Sequence, residues 1–326
     1  MDKLPCEVVR DLLPSYVDGL TSETTNQLVS EHLEGCAPCR AALDAMRAPG
    51  TEPAEEKEKE IDYLKKSRRH NRAVVLWSIA GAFLVVVMVG LLRLFEIGEP
   101  LSADAVAIME LEVNEDRTVC TLGMMSLDSA KTIIRVSPEE ANGVIYLKPW
   151  AVLASPLHRG DYSYTVSAES IRRICVGERI VWDDGARVSV LASNVFATRH
   201  AYVGEMPANG RTAAALGVSD ILGPYVSELH TSGRPYVWTL TLSEDIPKDS
   251  RERREEAMNA IARVLIAVIG NLDEVRYVYT ADGEPAERVM TATRASRYFG
   301  QDIKNCYESP RLLNELIEKT GLQYFR

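Results

Sequence analysis

From Ala73 to Leu92 the chain reads AVVLWSIAGAFLVVVMVGLL, 20 residues without one charged side chain. At about 1.5 Å per residue such a run makes a helix of about 30 Å, the thickness of a bilayer's hydrocarbon core. It is apolar all the way round and leaves no polar stripe for water, which disfavours the core helix of a soluble domain. A secretory signal is not expected, because the polar stretch of residues 1–72 comes first. A membrane helix therefore divides the chain into two parts that fold in different compartments. Lys65, Lys66, Arg68, Arg69 and Arg72 precede the run, whereas Arg93 is followed by Glu96, Glu99 and Asp104. Basic residues beside a span stay on the cytoplasmic side, so the N-terminus is expected inside and the longer C-terminal part outside. The same basic cluster suits anionic lipid headgroups better than nucleic acid.

The N-terminal part carries HLEGCAPC at residues 32–39, in a chain with only five histidines and six cysteines. His32 and Cys36 stand four apart, on one face of a helix. Cys36 and Cys39 form a C-x-x-C knuckle whose turn Pro38 rigidifies. Zinc takes four nitrogen and sulfur ligands in a tetrahedron, and a closed structural site needs a fourth of the same kind. Cys6 is the one other cysteine before residue 120, and a helical hairpin would return it to His32. Val9, Leu12, Leu13, Tyr16, Val17 and Leu20 follow helical spacing in the first arm, with a kink expected at Pro14. Ser22 is the expected N-cap of the second arm, which places Leu28, Val29, His32 and Leu33 on one side. A third short helix should run from Cys39 to about Met46. A competing reading makes Cys6 a small buried hydrophobe and CAPC a redox pair, although no βαβ setting surrounds it. Zinc-bound thiolates can also be oxidised, so a site that senses redox state stays open.

Residues 1–62 hold six basic and fourteen acidic side chains, a balance of −8. A zinc finger that binds DNA needs a basic face to neutralise phosphates, so direct nucleic-acid contact is excluded. An acidic module suits a basic protein, such as one that itself binds DNA, although acidity also simply keeps a small domain soluble.

CEVVRDLLPSYVDGLTSETTNQLVSEHLEGCAPCRAAL, within residues 1–48, resembles the zinc-finger module of bacterial anti-sigma factors. The resemblance lies in the H-x-x-x-C-x-x-C core, the upstream cysteine and the LLP-Y-DG-L first helix. It implies Zn2+ held by Cys6, His32, Cys36 and Cys39, and a sigma factor as partner. Helix-face residues Leu12, Tyr16, Leu43 and Met46 are the expected docking surface. The habit of the family adds an intramembrane protease as a further partner.

Beyond the membrane, AVAIMELEV, KTIIRVS, GVIYLKPWAVLA, YSYTVS and RIVWDDGARVSV read as strands, with Asp184-Gly185 as a hairpin turn. A small β-sandwich or barrel is expected. After about residue 195 helices and strands mix. YVWTLTL and VRYVYTADGE are strands, and residues 249–271 form a long helix with Met258, Ile261, Leu265, Val268 and Leu272 along one stripe. Ser309 and Pro310 should start a final helix that Gly321 stops. From TRHAYVGE onward this segment resembles an uncharacterised extracytoplasmic domain of Gram-positive bacteria, a resemblance that brings no activity with it.

The fold class expected is thus an α+β multi-domain membrane protein. Its parts are a small all-α zinc-binding helical domain (1–48), a charged helix or linker (49–72) and a transmembrane helix (73–95). An extracytoplasmic β-rich domain (96–195) and an α+β domain (196–326) follow. No G-x-S-x-G, H-E-x-x-H, P-loop or G-x-G-x-x-G occurs, and His158, His200 and His230 lack partners at ligand spacing, so no enzyme is expected. Cys120, Cys175 and Cys306 allow at most one disulfide and read equally well as buried thiols. The function that fits is a membrane-bound anti-sigma factor whose outer domain senses envelope conditions. The alternative is a single-span receptor whose zinc module binds another cytoplasmic regulator.

Overall fold

The computed structural model describes residues 4–48, 54–158 and 160–325. Residues 49–53 of the expected charged segment lie outside them. The chain divides into two units, Met1–Leu84 and Val85–Arg326.

The first unit opens with three short helices, α1 (Cys6–Val17), α2 (Glu23–Gly35) and α3 (Ala37–Arg47). Each gives one pair of residues four apart to a common core: Val9 and Leu13, Val29 and Leu33, Cys39 and Leu43. That spacing puts both members of a pair on the same helix face, so three narrow stripes meet in one small core. The helix α1 runs from Cys6 to Val17 with Pro14 inside it. Other expectations shift. Ser22 takes the N-cap position of α2 but makes no side-chain cap bond. Leu28 is exposed and stands outside the buried face. The third helix starts two residues earlier than expected, with Pro38 in its first turn and Cys36 as the extended residue between α2 and α3. Leu43, expected on a free face, lies four residues after the buried Cys39 and turns inward with it.

The helix α4 (Ala54–Leu92) continues into a π-helical turn at Arg93–Ile97. Every side chain from Ala73 to Leu92 is exposed, and the helix is long and apolar enough to cross a membrane.

The second unit begins where that turn ends. Its β-rich part contains β1 (Glu99–Pro100), β2 (Val106–Val113), β3 (Val119–Ser126), β4 (Lys131–Ala141), β5 (Val144–Leu153), β6 (Tyr162–Ser167), β7 (Arg173–Val176), β8 (Arg179–Asp183) and β9 (Ala186–Arg187). β2, β3 and β6 form one antiparallel sheet, while β1, β5, β7, β8 and β9 form a second, with β4 also paired to β5. Both sheets bury side chains in one core, Leu122 and Met124 from the first and Ile145, Leu147 and Ile174 from the second. This is the expected sandwich. The hairpin turn falls at Asp184-Gly185, both with positive φ, but Val190 starts a helix instead of ending a strand.

The remainder holds α5 (Val190–Ala197), α6 (Met206–Leu216), α7 (Val218–Leu222), β10 (Tyr225–His230), β11 (Val237–Ile246), α8 (Lys248–Val268), β12 (Glu274–Ala281), β13 (Glu284–Thr291), α9 (Ala292–Phe299) and α10 (Pro310–Thr320). The sheet runs β10-β11-β12-β13, with β11 and β12 parallel because α8 connects them. The apolar stripe of α8 is buried as expected at Met258, Ile261, Leu265 and Val268, but the helix ends at Val268, three residues short of the expected 271, so the buried Leu272 lies beyond it. Beyond its end the Lys304 ammonium donates to the carbonyls of Ile266, Ile269 and Leu272 at 2.7–2.8 Å. Carbonyls at a helix C-terminus have no partner within the helix, and a cation is the group that best supplies one.

Candidate metal centre

Three helices bring four donors together. Cys6 is the first residue of α1, His32 lies in the last turn of α2, Cys36 separates α2 from α3, and Cys39 sits in the first turn of α3. The Cys6 Sγ lies 3.5 Å from His32 Nε2 and 3.7 Å from Cys36 Sγ. All four ligand atoms fall within 4.8 Å of one another, and this is the one such group among the described residues. Four donors around an ion held at about 2.3 Å to sulfur and about 2.1 Å to nitrogen would stand about 3.5 to 3.8 Å apart. The two close distances fall on those edges. Three thiols and an imidazole are a soft set without a carboxylate, suited to a tetrahedral, borderline-soft divalent ion.

Local bonding prepares the thiols. The Cys39 backbone N–H, pointing at the Cys36 sulfur, is the main cause that lowers the Cys36 thiol to about 7, and side-chain bonds from Cys39, Cys6 and His32 add to it. Cys39 is buried and pushed up by that burial and by the neighbouring Cys36. One thiol is thus ready to ionise near neutral pH, and the other needs a cation to hold it as thiolate.

Arg40 is a residue that spacing alone did not single out. Its guanidinium donates to the Leu33 carbonyl from Nε (3.1 Å) and Nη2 (2.8 Å), and to the Glu34 carbonyl from Nη2 (2.8 Å). It therefore ties the open end of α2 to the first turn of α3 and holds Cys36 and Cys39 at a fixed angle to His32. The basic residue directly after the C-x-x-C was the available sign.

His200 and the three remaining cysteines are part of the packed interior of the second unit. His200 bonds the Thr198 carbonyl through Nδ1 and Asn209 through Nε2 (2.8 Å). Cys120, Cys175 and Cys306 are buried free thiols, with Cys175 raised by burial to about 11, which keeps them unreactive.

Residues 6–40 match a family described as "Putative zinc-finger", and residues 195–292 match a "Domain of unknown function (DUF4825)". The anti-sigma-YlaC factor YlaD of Bacillus subtilis (strain 168) is 41% identical over 46 residues, which are 14% of this chain and 47% of YlaD. The chain thus spans about half the length of that relative. No solved structure matches the chain. The N-terminal module is similar to a zinc finger and to an anti-sigma factor, and the C-terminal part to a domain without assigned activity, in line with both resemblances drawn from the sequence.

Proposed function

We propose that the chain is a membrane-bound anti-sigma factor: residues 1–48 bind one zinc ion through Cys6, His32, Cys36 and Cys39 and sequester a sigma factor in the cytoplasm. The single observation that carries this reading is the tetrahedral spacing of three thiols and an imidazole within the segment that is similar to YlaD. Zinc would supply a cross-link between three helices whose shared core is only six residues, too little to hold them alone. In this reading residues 49–72 lead into the span at 73–95, and residues 96–195 and 196–326 face the outside and sense envelope conditions. The role is regulatory rather than catalytic. The five basic residues from Lys65 to Arg72 support a cytoplasmic N-terminus. An intramembrane protease is the partner that would release the module.

The docking face must be apolar side chains the module does not use. Val8, Leu28 and Met46 are exposed and Leu12 and Tyr16 half-buried, so these take the place of Leu43. The acidic residues around them steer a basic partner, while burial of the apolar ones holds it. Residues 1–72, overproduced in cells, should capture a sigma factor and silence its promoters. A folded, zinc-loaded fragment that captures none and leaves transcription unchanged rejects the anti-sigma reading in favour of the single-span receptor. Protease added to protoplasts should digest the chain beyond about Glu96 and spare the zinc module; protection of the C-terminal part would reverse the topology.

A further inference from the structure

The helix α4 meets the sandwich without a linker. Gly98, at φ 74°, donates its N–H to the Arg93 carbonyl (2.9 Å), and the next residue already pairs with β5, Glu99 opposite Ala151. The Glu99 carboxylate holds the Lys131 ammonium across the same corner. The strands then run back alongside the helix. Gly90 and Leu94 of the helix share the wall of one cavity, about 340 Å³, with Lys131 and Leu153. Gly90 precedes Ile97 by seven positions, about 10 Å of helix, so the ends of β4 and β5 overlap the last turns of the apolar run.

Two loops continue from those ends, residues 127–130 between β3 and β4 and, between β5 and β6, the described residues 154–158 and 160–161. They lie side by side: the Ala154 N–H donates to the Ala130 carbonyl (2.8 Å), and the Thr132 hydroxyl to the Gly160 carbonyl (3.4 Å). Each presents a leucine to the surroundings, Leu127 at 61% and Leu157 at 85% exposure. Asp128 spends its carboxylate on the Ala130 N–H inside its own loop. Leucines on loop tips that descend beside a membrane helix have an apolar phase within reach.

We propose that these two loops form a membrane-contact surface, with Leu127 and Leu157 inserted into the outer leaflet at the level of the lipid headgroups and upper acyl chains. The proposal rests on α4 spanning the bilayer. The partner is the lipid itself: the surface is continuous with the side of the membrane helix, and Arg93 and Lys131 stand at its edge where phosphates lie. The sandwich is then fixed to the membrane at two points, the helix and the loop pair, so its orientation to the bilayer is set.

The test places the photo-crosslinking residue p-benzoylphenylalanine, one site at a time, at Leu127, Leu157, Val86 and Glu140 of the full chain. The chain is reconstituted in vesicles of phosphatidylethanolamine and phosphatidylglycerol. Glu140 is the reference, because it lies nine residues along β4 from Lys131, roughly 30 Å from the loops. Lipid adducts at Leu127 and Leu157 should exceed those at Glu140 by about tenfold and approach those at Val86 in the span. Adducts at Val86 with none above the Glu140 level at Leu127 and Leu157 overturn the loop contact and leave the span intact. Protein adducts in place of lipid at Leu157 overturn it in favour of a protein partner. Loss of lipid adducts at Val86 as well removes the spanning reading, and this proposal falls with it.

Discussion

Cys36 and Cys39 illustrate how much of the metal centre was written at residue level. The spacing His32, Cys36, Cys39 is a local property, and the partner Cys6 followed from requiring a closed set. Arg40 was less legible, because its part depends on where the carbonyls of Leu33 and Glu34 end up. Leu43 was misplaced because helical periodicity fixes which residues share a face but not which face is buried until the helix start is known, and α3 starts at Ala37. Replacing Cys36 or Cys39 by Ser should remove the metal and the helicity of the module together, read by metal analysis and circular dichroism. Full helicity in excess chelator would contradict this. Cys6→Ser separates ligand from core residue: unchanged metal affinity would make Cys6 a packing group. The pH dependence has a defined sign. Cys36, lowered from 9.0 to about 7, favours the folded metal-free module above pH 9, and this contribution is lost as pH falls through about 7. Cys39 is raised and acts in the opposite sense. A bound cation needs both as thiolates, so metal affinity should fall as pH is lowered below about 7, with proton release on binding measurable in weak buffer.

Elements with strong terminal punctuation were read closely, and those without it were not. The last helix starts at Pro310 after Ser309, whose hydroxyl accepts from the Leu312 N–H, and stops at Gly321 in a left-handed conformation, each position as expected. Ser309→Ala should cost about 1 kcal/mol. By contrast, α6 has no capping side chain, and its inward face includes the polar Asn209 and Thr212, which hides the apolar period. The strand β13 is an edge strand whose first residues, Glu284 and Pro285, are exposed, so it lacks the alternation that marked β11 and β12. The triple cap on α8 came from a residue 36 positions beyond its end, Val268 to Lys304, and local patterns carry no trace of such a bond. Lys304→Met keeps the stem and deletes the donors, leaving the buried carbonyls of Ile266 and Leu272 without the ammonium while the Ile269 carbonyl keeps the Leu272 N–H. A loss of about 3 kcal/mol is expected in denaturant unfolding of the full chain followed by tryptophan fluorescence. A change below about 0.5 kcal/mol would mean that water replaces the ammonium.

At the scale of the molecule, the charge-free run, the acidic N-terminal part and the sandwich followed from composition and periodicity. The junction did not. Nothing in RLFEIGEP announces that strand pairing begins immediately after the helix, because β1 is two residues long and its partner lies about fifty positions away. Gly98 is what allows it: a β-carbon there would run into the Ala151 carbonyl oxygen, and φ is positive. Gly98→Val should therefore unpair β1. Trypsin added to the detergent-solubilised chain should then cut at Arg93 readily in the variant and slowly in the parent. Equal rates would show that the junction holds without the glycine.

That junction also decides what kind of movement the helix can carry. From Val85 to Leu92 the backbone is helical, a π-helical turn follows at Arg93–Ile97, and at Gly98 the chain enters a paired strand with no linker between. In the proposed membrane-bound reading a joint of this sort acts as a keyed shaft: with no linker to take up slack, torque on the sandwich would reappear as rotation of the helix about its own axis. An angular displacement, unlike a small shift along the membrane normal, costs a helix almost no exchange of lipid for water along its length.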